Sequence, residues 1–294
     1  MRDVSTVLEG VTSRPLTKES MAWCFLPYEL FTMQRYLMPQ KLKQWRFHFF
    51  DNWAAQFGKT TTTVELKPEG KGFQSKKRFA SFINVPELIR QFKEVADIIT
   101  NDMLNLKLPE GKYHTVESDP SELQQELVES LSDRADVVRA RNIEPDKDNL
   151  LLITTDGRKI ALDQRLYEPM LPDSEDSKIS ACVANVLDVY KKTDNTKGTQ
   201  LIFSDLGTPS SDGFNVYDDI KTKLVAKGIP EKEIAFIHSY NTDKQKSELF
   251  AKVRKGDIRV LIGSTAKMGA GVNVQKRLAA LHNLDVPWVR LEVA

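Results

Sequence analysis

Residues 233–275 read EIAFIHSYNTDKQKSELFAKVRKGDIRVLIGSTAKMGAGVNVQ. The apolar run Ile234-Ala235-Phe236-Ile237-His238 predicts a buried strand. After it, Thr242-Asp243-Lys244-Gln245 forms a capping box, in which Thr242 and Gln245 satisfy otherwise orphaned amides, and the helix so opened closes at Gly256. A second strand, Ile258 to Ile262, runs into Gly263-Ser264-Thr265. A strand, a capped helix and another strand make a βαβ unit, which predicts parallel pairing through a right-handed crossover.

The same grammar extends to both sides. Upstream, the strand Gln200-Leu201-Ile202-Phe203-Ser204-Asp205 precedes a loop and a helix from Val216 to Lys227, closed by Gly228 and Pro230. Ile179, Cys182, Val183, Val186, Leu187 and Tyr190 recur at helical spacing and mark a helix that packs on the sheet. Downstream, a fourth strand is expected at Leu278 to Leu284. The fold class expected is therefore α/β: an open, mostly parallel sheet with flanking helices.

Before residue 150 the pattern is mixed and helix-rich. Residues 1–27 carry no sustained period. A helix is expected from Tyr28 to Leu37, stopping at Pro39, followed by the aromatic run Trp45 to Trp53, which reads as a packed helix pair. TTTTVEL reads as β-rich and leads into a turn at Lys67-Pro68-Glu69-Gly70-Lys71-Gly72. Helices are expected from Pro86 to Ile99 and from Asp119-Pro120 onward, the latter with a carboxylate cap and proline at its first position. LLITTDG reads as a strand or turn. These signals divide the chain into 1–27, a connecting region over 28–149 and an α/β lobe over 150–294.

The chain has 294 residues, 40% hydrophobic and 28% charged, enough for two domains with cores of their own. Its 42 lysines and arginines against 41 acids leave a net charge of +1, so any nucleic-acid contact must be local. Cys24 and Cys182 have no CxxC pairing, which argues against zinc and against a disulfide-built secreted fold. No apolar run approaches the roughly 18–20 residues of a spanning helix, and the start has no signal-peptide core. A cytoplasmic protein without membrane contact is expected.

Ligands of open parallel sheets sit beyond the carboxyl ends of the strands. Here those ends carry Ser204 and Asp205, His238 and Ser239, Gly263-Ser264-Thr265, and Asp285. The third junction continues as Lys267-Met268-Gly269-Ala270-Gly271-Val272-Asn273, where glycines permit close backbone approach and the Ser264 and Thr265 hydroxyls can donate to phosphate. A solvated turn is the bland alternative for any one junction, but it fits four polar junctions less well.

QLIFSD, the 233–275 stretch and AALHNLDVPW together resemble successive motifs of the C-terminal RecA-like lobe of Swi/Snf-like superfamily 2 helicases. YELFTMQRYL, HFFDNWAAQFG, TTTVELKPEG and DNLLLITTDGRKIALDQRL further resemble the connecting region of large helicase proteins of conjugative elements and phages, often fused to an adenine-specific DNA methyltransferase. The resemblance runs from about Tyr28 to Trp288. It implies an ATP-dependent DNA translocase that uses ATP and magnesium in the complete protein. On this chain it assigns Ser264, Thr265, Ser204, Asp205 and His238 to DNA contact, and Gly269, Gly271, Asn273 and Gln275 to coupling with nucleotide. The partners implied are DNA, a first RecA-like lobe in the same or another polypeptide, and a methyltransferase domain.

The departures shape the expectation. A P-loop lysine and an acidic magnesium motif belong to the first lobe of such motors, and neither is found here. Gly58-Lys59-Thr60 fails as a P-loop because Trp53 stands where the leading glycine is required. The chain stops at Ala294, where the family would continue into motif VI with its arginine, and Arg290 lacks that motif's context. It is therefore expected to be a helicase-lobe fragment that hydrolyses no ATP alone, with no catalytic residue, metal ligand or cofactor of its own. A non-catalytic DNA- or partner-binding remnant of a decayed mobile-element gene is the alternative. A Rossmann-like enzyme is disfavoured, since Gly269-Ala270-Gly271 lacks a third glycine at the required offset. The basic cluster Lys71, Lys76, Lys77 and Arg78 reads as a solvated charge run beside aromatic anchors.

Overall fold

A computed structural model describes residues 27–66, 73–97, 111–140, 143–144, 146–210, 213–269 and 272–285. The chain forms two compact units, which part between Thr115 and Val116.

The first unit contains α1 (Pro27–Leu37), α2 (Pro39–Gln44), α3 (Phe50–Phe57), the antiparallel strands β1 (Gly58–Leu66) and β2 (Phe73–Phe82), and α4 (Val85–Lys93). Pro39 does end α1, but it also begins α2, where its missing N–H costs nothing. Trp53, Phe57, Phe82, Leu30, Leu42 and Leu88 form the core and are almost wholly buried. The Trp53 indole donates to Gln34 Oε1 at 2.7 Å, which satisfies the one polar atom of that ring inside the core. The β-rich reading of TTTTVEL holds in β1. Its partner β2 contains the basic cluster: Lys77 is exposed, and Lys71 lies outside the described residues. The helix expected from Pro86 to Ile99 ends at Lys93, with a turn to Asp97.

The second unit opens with α5 (Glu122–Arg139) and α6 (Leu150–Leu162). Two corrections belong here. α5 is capped by Ser121, whose side chain accepts from the Gln124 amide while Gln124 caps Ser121 in return, so Asp119-Pro120 lies before the helix. LLITTDG is helical, because Asn149 Oδ1 accepts from both the Leu151 and Leu152 amides at 3.0 Å and starts a helix there. Leu131 and Ala135 of α5 pack on Ile153 and Ile160 of α6. Arg134 joins the pair through Asp148 (both oxygens, 3.0 Å) and Asp156 (3.0 Å). The division anticipated at residue 150 thus runs between two helices that pack together.

Next come α7 (Lys178–Lys192), β3 (Thr199–Phe203), α8 (Val216–Ala226), β4 (Ile234–Phe236), α9 (Asp243–Lys255), β5 (Val260–Gly263), the single turn α10 (Thr265–Met268) and β6 (Leu278–Asn283). The four strands form a parallel sheet in the order β4-β5-β3-β6. Alternate residues serve opposite faces: Ile202, Val260 and Ile262 join the core with α7 and α8, whereas Leu201 and Leu261 join the core with α9. This is the RecA-like α/β arrangement, with helices on both faces. The Thr242–Gln245 capping box forms as expected, and Gly256 closes α9 at φ 84°. β4 is shorter than anticipated, since Ile237-His238-Ser239 turn into a 3-10 helix.

At the amino edge of the sheet, Arg259 is buried beneath α7. It donates to the Tyr190 carbonyl at 2.7 Å, to Asp194 at 2.8 Å and to the Gly198 carbonyl at 3.2 Å, and lies 3.7 Å from the Tyr190 ring. Cys182 is buried in the core and its thiol is pushed up to about 12 by burial, consistent with a structural rather than a reactive cysteine.

Candidate functional site

At the opposite, carboxyl edge, two aspartates tie together the ends of three of the four strands, β3, β5 and β6. Asp205, just past β3, accepts from the Thr265 amide at 2.7 Å and so caps α10, which follows β5. Asp285, just past β6, accepts from the Asp205 amide at 3.0 Å and from the Leu206 amide at 2.8 Å. The Asp285 carboxyl titrates above the ordinary carboxylate range because burial opposes its charge more than those amide donors favour it. The loop after β5 therefore cannot shift without disturbing β3, and the loop after β3 cannot shift without disturbing β6.

Tyr217 of α8 fills the space beneath this edge. Its hydroxyl donates to the Ser204 carbonyl at 2.7 Å, and its ring meets Phe236 and His238 edge-on, at 5.5 and 5.2 Å between centroids. Burial raises its phenol well above the usual range, so it stays a neutral donor. His238 sits in the turn after β4. Its pKa is lowered, first by burial and then by the charge of Lys267, and its Nδ1 is buried without a hydrogen-bond partner among the described residues.

The anticipated site residues divide into two groups. Ser204, Asp205, His238, Ser264 and Thr265 do gather at one edge. Ser204 is fully buried and its hydroxyl donates to the Leu206 carbonyl, while Ser264 and Thr265 are each only 8% exposed. Ser264 sits at the N-cap of α10 but makes no side-chain cap bond. Gly269 ends α10; a Cβ there would lie 2.6 Å from the Thr265 carbonyl, so the turn needs glycine. Asn273 and Gln275 are exposed and belong to the next loop, which Arg254 secures through the Asn273 carbonyl at 2.7 Å. Gly271 lies outside the described residues.

Two contributors were not assigned from the sequence. Lys267 is exposed on α10 and close enough to influence His238, but a single lysine in a loop carries no signal of its own. Tyr217 reads in sequence as one more apolar position of an amphipathic helix, and only its long-range bond to Ser204 reveals it.

A magnesium nucleotide needs free carboxylate oxygens, and both aspartates at this edge are engaged by main-chain amides. The group Asp163, Asp173 and Asp219 is close enough to suit a cation, but Arg165 and Lys223 already neutralise it. Among the described residues, both groups of carboxylates are thus already engaged by protein donors. No helix among the described residues is long and apolar enough to cross a membrane.

Residues 22–100 match a family model described as a probable helicase domain. The match supports a helicase relationship, and it covers the first unit rather than the RecA-like sheet. No curated protein matches the chain.

Proposed function

We propose that this helicase-related chain supplies the second RecA-like lobe of an ATP-dependent DNA translocase of the Swi/Snf-like superfamily 2 kind, as found in mobile elements. The observation that carries this reading is the interlock of strand ends, in which Asp205 holds the amide of Thr265 and Asp285 holds those of Asp205 and Leu206. In such a motor, a loop that touches DNA phosphate must report its position to the nucleotide, and a loop tied to two neighbouring strands can do so.

In this reading, Lys267 and His238 face the DNA backbone together with Ser264 and Thr265. The turn at Gly269 and Gly271, with Asn273 and Gln275, moves with bound nucleotide. ATP and magnesium are held chiefly by a first lobe carrying the P-loop, in the same or another polypeptide. The chain alone then binds DNA and does not turn over ATP. A non-catalytic DNA- or partner-binding remnant is the second reading, favoured by the deep burial of Ser264 and Thr265.

The test is binding of the purified chain to duplex and single-stranded DNA across a salt series, beside Ser264→Ala/Thr265→Ala, Lys267→Ala and His238→Ala variants. Salt-sensitive binding is expected, with the Lys267→Ala change reducing the salt slope by about 1. Variants that all bind like the parent would remove this edge as the DNA site. Robust DNA-stimulated ATP hydrolysis by the pure chain would overturn its role as a half-site, and a first lobe added with Mg-ATP that leaves binding unchanged would favour the remnant.

A further inference from the structure

The first unit contains a cleft of about 470 Å³, within the roughly 300–1,000 Å³ of small-ligand sites. Trp45, Phe47, Gln56, Asn84, Glu87 and Gln91 line it. Its walls combine three aromatic rings, Phe57 being the third, with the side-chain amides of Gln56, Asn84 and Gln91. Gln91 is 3% exposed; its Nε2 donates to Glu87 at 2.9 Å, which leaves Oε1 as the free end, and that oxygen has no partner among the described residues. Glu87 stays ionised, since hydrogen bonds from Arg90 and Gln91 hold it below the ordinary carboxylate range. Glu87 is paired with Arg90 at 2.7 Å, so the unsatisfied group of the cleft is the Gln91 acceptor, which favours a flat ligand with N–H donors on its edge.

The backbone around the cleft is held in an unfavourable conformation. Arg46, between Trp45 and Phe47, has φ 62°, and Asn84 has φ 51°. Left-handed backbone in residues other than glycine is costly and concentrates at binding sites. A second depression, of about 110 Å³, lies next along the same turn and is lined by Arg35, Lys43, His48 and Phe49. The turn thus gives Trp45 and Phe47 to one cavity and His48 and Phe49 to the other. His48 Nδ1 is likewise buried and unpartnered, while Phe49 is 63% exposed against the His48 ring at 4.1 Å.

We propose that this surface binds single-stranded DNA, with one unstacked base in the acceptor-lined cleft and the adjoining phosphate and base at the Arg35–Lys43–Phe49 depression. The base stacks on Trp45 or Phe47 and presents its amino edge to Gln91, while the phosphate lies against Arg35 and Lys43 of the second depression. The site lies in the unit with the helicase-domain match and does not depend on the strand-end site of the second unit.

Fluorescence anisotropy of the full chain tests this with a labelled single strand, the same strand made fully abasic, and a duplex. Gln91→Leu removes an unpaired buried acceptor at nearly constant volume, so its thermal midpoint is expected to hold or rise while affinity for the base-bearing strand falls about tenfold. Asn84→Gly keeps the left-handed backbone, deletes the amide and provides a second variant with the same expected loss. An Arg35→Ser/Lys43→Ser pair should lower the salt slope by about 0.7 for each phosphate contact removed. Equal binding of the abasic strand, unchanged affinity in both cleft variants, or no binding at low salt would each overturn the proposal. Lys267→Ala serves as the comparator: binding lost only there refutes this cleft and leaves the strand-end site standing.

Discussion

His282 shows how one buried group sets a pH dependence. Its Nε2 lies 2.9 Å from Gln200 Oε1, and Gln200 is oriented by donating its own Nε2 to the Val186 carbonyl. His282 must therefore donate from Nε2 as a neutral ring, and burial lowers its pKa from 6.5 to about 4. A lowered pKa means that the unfolded chain takes up this proton first, so the contribution is full above pH 6.5 and is lost as pH falls toward 4. We expect about 3 kcal/mol of stability to vanish across that window, at about 1.4 kcal/mol per pH unit. A His282→Gln variant should lack that part of the slope in urea melts run from pH 7 to 4; a slope identical to the parent's would exclude His282 as its source. A histidine in an apolar run is visible in the sequence, but the glutamine that fixes its tautomer sits 82 residues away.

Legibility rose with the number of local signals at the level of elements. The strand grammar from Gln200 to Leu284 could be read because apolar runs, caps and closing glycines all agreed. α6 was missed because Leu150-Leu151-Leu152-Ile153 followed by two threonines has the composition of a strand, and the deciding influences are an asparagine cap and Arg134 reaching from another helix. β2 was missed because Lys76-Lys77-Arg78 resembles a solvated run, whereas pairing with β1 makes it a strand. The Arg134 network gives an element-scale prediction. Arg134→Ala leaves Asp148, whose side chain is 12% exposed, without its bidentate partner. The α5–α6 pair should lose about 1–3 kcal/mol, read as a lower denaturation midpoint. A midpoint shift below about 0.5 kcal/mol would mark the pair as ordinary surface charge.

Across the whole molecule, the apolar clusters respect the two units: one gathers Trp53 with the residues around it, and the others involve only residues beyond 116. A unit with its own core can fold alone. Residues 116–294 expressed by themselves are expected to unfold cooperatively and to retain the His282 slope. A fragment without a cooperative transition would show that its core is completed elsewhere. At this scale the candidate site was only half legible. Strand ends announce where a parallel sheet is used, so Asp205, His238 and Thr265 could be named. Nothing in the sequence shows that Asp205 and Asp285 answer to amides rather than to a ligand, or that an acceptor-lined cleft forms between a turn and α4 in the first unit.

The two margins of the sheet are fastened by chemically unlike clasps. Beneath α7 the clasp is a guanidinium that donates to the main-chain carbonyls of Tyr190 and Gly198. The opposite margin hangs partly on Asp285, a carboxyl that gains its proton sooner than an ordinary aspartate as acidity increases. Because its folded-state value is raised, protonation of Asp285 relieves a buried charge and favours the folded chain, so acid steadies this margin and the loops after β3 and β6 become costlier to hold as pH rises.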